Sequence, residues 1–261
     1  MVKLETAGYA AAYAQYRTNH SFFPLIGAVL LDEQDGVVYA DKDEAPTQFY
    51  VEHAFGFAQI FGSANAEFET ELQRYLLVRK NFAVVKVRLY TPHFPDFLRT
   101  AKMACLRAER QRYALGSSGI VQGMDLRACK NVNSRFVDVD RSNVWQVERR
   151  FGVVGRFWRT PRDFIARAHA VVALVDEEPV AICYAAAVAD GRAEIDVLTL
   201  PAYRQLGLGR LVVTRFNKQS RARGLTPLWD CFTNNAGSVA LCQTAGFVSV
   251  GEPYAFFTIN K

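Results

Sequence analysis

A chain of 261 residues suits one large or two ordinary domains. Hydrophobic residues make up 50% and charged residues 22%, the composition of a folded globular protein; a net charge of +5 without a basic run is too small to indicate nucleic acid. Five widely spaced cysteines without a C-x-x-C argue against a zinc site or a disulfide framework, and no apolar run approaches the ~18 residues of a membrane span, so a soluble, metal-free, cytoplasmic protein is expected.

In chain order, Leu4 to Arg17 has helix-forming composition, and the apolar run Phe22 to Leu31 reads as a strand. The polar turn Asp32 to Gly36 makes Val37 to Ala40 its expected hairpin partner. Ala45–His53 and Gly56–Phe61 read as further strands. From Ala64 to Lys80 the period becomes helical, with Phe68, Leu72, Tyr75 and Leu76 on one face and Ser63 or Asn65 as cap. Phe82 to Tyr90 alternates like a half-buried strand, and another strand is expected within Glu109 to Leu115. His53 and His93 are isolated histidines, read as structural or surface residues before catalytic ones. The glycine- and serine-rich stretch Gly116 to Gly123 is the expected linker between a smaller α+β lobe (residues 1–122) and a second domain (residues 123–261).

In the second half, Asn143–Phe151 and Pro161–Ala168 read as short helices. Ala170–Val175, Val180–Ala187 and Ala193–Leu200 follow as strands joined by tight turns at Asp176–Pro179 and Asp190–Gly191. The last of these strands runs into Arg204-Gln-Leu-Gly-Leu-Gly-Arg210, which opens a helix closed by Gly224. Glycines here let successive backbone N–H groups curl around one anion, with the helix N-terminus adding its field. The dinucleotide fingerprint would need a third glycine where Val212 stands, and no nucleotide-triphosphate loop is present. Leu228–Phe232 is another strand, Asn234 to Gly246 a capped helix, and Val248–Gly251 with Tyr254–Ile259 a closing hairpin.

Arg204-x-x-Gly207-x-Gly209, Asn235 with Ser238, and Ala245-Gly-Phe247, set in this order of strands and helices, resemble the GNAT superfamily of acyl-CoA-dependent N-acetyltransferases over roughly Asn143 to Ile259. The resemblance implies an α+β fold. A GNAT domain of mixed, mostly antiparallel sheet with flanking helices would form the second lobe, and the first would be an additional lobe, allowed by its pattern to be a degenerate copy that shapes the acceptor pocket. It also implies acetyl-CoA as co-substrate and a small-molecule amine or a peptide as acceptor. Backbone groups of Gln205, Leu206, Gly207, Leu208, Gly209 and Arg210 would cradle the pyrophosphate. The strand edge at Leu198, Thr199 and Leu200 would pair with the pantetheine amides. Asn235 would cap its helix and reach the same arm.

Direct acetyl transfer needs the amine deprotonated and the leaving thiolate protonated. Glu194 and Asp196, two apart on a strand, share a face and are the candidates for the base. The family places a tyrosine seven residues after the asparagine as general acid; here that position is Cys242, a poorer donor, with Tyr254 or water as the alternatives. Asp230 and Cys231 are nearby candidates, Cys231 read first as a buried structural thiol. The contrasting reading is a non-enzymatic, acyl-CoA-binding sensor or partner-binding module, which the missing tyrosine favours and the intact glycine turn opposes.

Overall fold

The computed structural model describes residues 1–19, 21–90, 95–116 and 132–261. His93, Cys129, residues 117–123 of the expected linker and the expected boundary at 122/123 lie outside the described residues. The chain forms two compact units, Met1–Arg110 with Pro253–Lys261, and Gln111–Glu252.

Its elements are, in order, β1 (Val2–Lys3), α1 (Tyr9–Tyr16), α2 (Pro24–Leu30), β2 (Gly36–Ala40), β3 (Gln48–His53), β4 (Phe57–Gly62), α3 (Ala66–Gln73), β5 (Lys86–Tyr90), β6 (Arg107–Leu115) and β7 (Ser134–Asp138). Then come α4 (Val144–Phe151), α5 (Val154–Phe157), α6 (Pro161–Arg167), β8 (Val171–Val175), β9 (Glu178–Ala189), β10 (Arg192–Thr199), α7 (Leu208–Ala222), β11 (Thr226–Phe232), α8 (Ala236–Thr244) and β12 (Phe247–Asn260).

In the first unit β1, β2, β3 and β4 form an antiparallel series, and β5 returns parallel to β4 after α3. The last residues of β12 pair antiparallel with β5, from Phe256↔Tyr90 to Asn260↔Lys86. Asn65 caps α3, its side chain accepting from the Glu67 and Phe68 amides at 3.1 Å. Two sequence expectations fail here. Phe22–Leu31 is not a strand but contains α2, buried on every side, so β2 pairs with β1 and β3 instead. Pro24 sits where a helix tolerates its missing N–H, and a short run that is apolar on all faces carries no period to separate helix from strand. The expected closing hairpin is one continuous strand, β12: Gly251 takes φ +65° without reversing the chain.

The second unit repeats the plan on a larger scale. Strands follow the order β6-β11-β10-β9-β8-β7. β7, β8, β9 and β10 are antiparallel, α7 crosses over, and β11 returns parallel to β10. α7 buries Leu211, Val212, Val213 and Phe216. Val212, Val213 and Phe216 pack in one core with Ala181, Cys183 and Ala185 of β9, Ala193 of β10, and Trp229 and Cys231 of β11. β7 and α5 are both short and weakly patterned in the sequence.

Candidate active site

The site is built where β10 and β11 part. The two strands are in register only at Arg192↔Thr226, Ala193↔Pro227 and Glu194↔Leu228. Beyond Glu194, β10 continues as far as Thr199 paired only with β9, through Leu198↔Ile182 and Thr199↔Ala181. A register shift between Glu194 and Ile195 marks the start of the divergence. Beyond Glu194 the side of β10 that faces β11 therefore has no β11 partner; there the Thr199 carbonyl accepts from Arg204 Nε at 3.3 Å, while the Leu200 N–H turns to β9 and donates to Val180 O at 2.9 Å.

At the end of that edge a short turn, Pro201–Tyr203, leads into the glycine segment. Gln205 at φ +64° and Gly207 at φ +88° both lie in the left-handed region, so the chain curls before α7 begins. A Cβ on Gly209 would meet Thr199 Oγ1 at 3.0 Å and Leu241 at 3.5 Å, so this glycine lets the helix approach both β10 and α8. The N-terminus of α7 has no side-chain cap, as in α1, α2, α4 and α5, and unlike α3, α6 and α8. Asn65, Thr160 and Asn235 close theirs with a side-chain acceptor, whereas Gly207 supplies none, and the first turn of α7 holds no acidic residue. Arg204 and Arg210 stand on either side of it instead. The first N–H groups of α7 and the positive end of its dipole thus lie, in the chain, between Arg204, whose Nε donates to Thr199 O at 3.3 Å, and Arg210.

Across the divergence, the Asn235 side chain accepts from the Ser238 amide at 3.1 Å and caps α8. The Ser238 hydroxyl accepts the Trp229 indole N–H, also at 3.1 Å, which fastens the parted half of β11 to the first turn of α8.

The two carboxylates of β10 face away from the α7 core, which takes Ala193, Ile195 and Val197. Glu194, at the last paired rung, is only 5% exposed. Asp196, half-buried, accepts from the Tyr184 hydroxyl at 2.5 Å and from the Arg156 guanidinium at 3.1 Å. Burial first, and then the Asp196 charge, raise the Tyr184 phenol, which stays a donor. Arg156 comes from α5, so this partner lay in an element the sequence had hidden. Asp230 pairs with Arg112 of β6 at 3.5 Å and is almost wholly enclosed.

Cys242 lies at 0% exposure in the core with Trp229, Cys231 and Leu208. Burial, and then neighbouring Cys231, push its thiol above the ordinary range. Tyr254 belongs to the first unit, its ring centroid 5.6 Å from that of Phe23. His53 is enclosed in the same unit: Phe55 N donates to Nδ1 at 2.8 Å, and Nε2 stands 3.1 Å from Gln34 Oε1. Among the described residues no group of His, Cys, Asp or Glu is arranged to hold a metal, and no helix is long and apolar enough to cross a membrane.

A family model for GNAT acetyltransferases matches residues 24–257. The chain belongs to the GNAT acetyltransferase family. YdfB of Bacillus subtilis, an uncharacterized N-acetyltransferase, is 31% identical over 102 residues, 39% of each chain, so the match spans about two fifths of that curated relative. Among solved structures, a GCN5-related N-acetyltransferase-like protein from Streptococcus suis superposes with a TM-score of 0.67 at 17% identity, covering 98% of this chain and 100% of that one. A tandem GNAT protein of the clavulanic acid biosynthesis pathway gives 0.60 at 10% identity, over 99% and 97% of the two chains. At such identities these likenesses speak for the GNAT fold alone, and they extend over both units.

Proposed function

We propose that the protein is an acyl-CoA-dependent N-acetyltransferase that moves an acetyl group from acetyl-CoA directly to an amine, small-molecule or peptide. The observation that carries this reading is the uncapped, arginine-flanked N-terminus of α7, set at the end of the unpaired β10 edge. In this reading the N–H groups of Gln205, Leu206, Gly207, Leu208, Gly209 and Arg210, with Arg204, hold the pyrophosphate. The β10 edge at Leu198, Thr199 and Leu200 lies along the amide arm, with the Thr199 backbone as its partner once the carbonyl exchanges its Arg204 bond, as an edge strand accepts a peptide. Asn235 and Ser238 hold the far wall in place through the cap and the Trp229 bond. Once bound, acetyl-CoA supplies an acyl carbon activated by its thioester.

Glu194 and Asp196 serve the acceptor side, where one of them takes the proton of the attacking amine, directly or through water. Tyr184 and Arg156 fix the Asp196 carboxylate, so its orientation is set before an acceptor arrives. Burial raises the Cys183 and Cys242 thiols, so neither of these two is a ready thiolate for an acyl-enzyme.

The first unit follows the same strand–helix–strand plan, and we read it as a degenerate copy without the cofactor site. Asn65 closes α3, and Glu67 and Glu69 in its first turn repel phosphate. Calorimetry with acetyl-CoA, followed by thiol release over a panel of amines, tests the assignment. Binding and turnover are expected; no binding of acetyl-CoA would remove it.

A further inference from the structure

Buried tyrosines in this protein bond their hydroxyls: Tyr16 donates to Gln59, Tyr50 to Glu52 and Tyr184 to Asp196. Tyr113 on β6 does not. Its residue surface is 7% exposed and its ring belongs to the core that holds Trp229, Cys231, Cys242 and Phe247. Its hydroxyl makes no hydrogen bond among the described residues, and it stands beside Cys231, Cys242 and Asp230. β6 lies directly beside β11, on the side opposite β10. Cys231, the neighbour with the largest electrostatic effect on the phenol, lies in the half of β11 that has parted from β10, and Cys242 and Asp230 follow. Burial and these three acidic groups raise the phenol, and it carries its proton at neutral pH.

We propose that Tyr113 is the proton donor to the thiolate that leaves in acetyl transfer. The inference rests on the acetyl-CoA reading above. With the pyrophosphate at α7 and the arm along β10 from Leu200 towards Glu194, the sulfur comes to the point where the strands divide. The amine nitrogen forms a C–N bond to the acyl carbon, the C–S bond breaks, and the sulfur keeps its electron pair. The phenolic proton passes to the sulfur to give the thiol. The phenolate left behind is returned to the phenol by the proton that the amine gave up to the β10 carboxylates, carried through solvent. Cys242, the other candidate donor, is wholly enclosed and its thiol is raised by burial.

The test compares wild type with Tyr113→Phe, which keeps the ring and its packing, and a thermal melt confirms that the variant folds. Calorimetry with acetyl-CoA comes first: if wild type does not bind, the acetyl-CoA reading and this proposal fall together. If it binds, CoA itself is titrated in the complex and its thiolate followed by ultraviolet absorbance, which needs no acceptor. A hydroxyl that donates to the sulfur stabilises the thiolate, so the bound thiol should ionise at lower pH in wild type than in Tyr113→Phe. With the best amine of the panel, kcat should fall about a hundredfold in the variant while acetyl-CoA affinity stays. Identical thiol titrations in the two proteins would overturn the role of Tyr113 and leave the acetyl-CoA reading standing.

Discussion

The Tyr184 hydroxyl and the Asp196 carboxylate, twelve residues apart in the chain, meet across neighbouring strands at 2.5 Å, with Arg156 as the third member at 3.1 Å. A phenol bonded to a charged acceptor in a half-dry site is worth more than a neutral pair. Tyr184→Phe should lower stability by about 1–3 kcal/mol in denaturant unfolding. If Asp196 also handles the amine proton, kcat should drop with little change in acetyl-CoA affinity; a loss confined to affinity would move Asp196 out of the chemistry.

Gly207, at φ +88°, begins the helix in a conformation that a branched side chain adopts only with strain. Gly207→Val should cost about 1–3 kcal/mol of stability and abolish measurable acetyl-CoA binding. Unchanged affinity in calorimetry would show that the α7 N-terminus is not the anion site.

Asn235→Ala removes the cap of α8 and should cost about 1 kcal/mol. The same variant separates two roles. A cap alone leaves acetyl-CoA affinity close to wild type, whereas a cap that also touches the pantetheine arm loses affinity beyond the stability effect.

His53 predicts a pH dependence in the first unit. Burial lowers its pKa from 6.5 to about 4, against the opposing pull of Asp35, because the enclosed site disfavours the charged ring. Between those values the unfolded chain binds a proton that the folded chain refuses. The His53 contribution is therefore complete above pH 6.5 and is lost as pH falls towards 4, by about 3 kcal/mol at the limit. Urea midpoints measured across this range should decline with acidity in wild type, and His53→Gln should flatten the curve.

The second unit was legible because its signals are local. Turns at Asp176 and Asp190, the glycine segment and the Asn235 cap each fix a backbone conformation within a few residues. The first unit hid α2, since a run buried on every face shows neither period. The site divides in the same way: the cradle and the caps are consecutive residues and could be read. The partners of Asp196 come from β9 and α5, and Tyr113 comes from a strand more than a hundred residues before β11. Such groups meet only when the sheet assembles, and spacing carries no trace of it.

The parting of β10 from β11 also gives the second unit an edge in the interior of its sheet. Amides on that side of β10 between Ile195 and Thr199 have no β11 carbonyl to hold them, so their protons should exchange with deuterated solvent as fast as those of a rim strand. Their neighbours that point to β9 should stay protected until the sheet itself opens. One strand would then show fast and slow exchange in alternation, a pattern that a complementary backbone laid along the gap would erase.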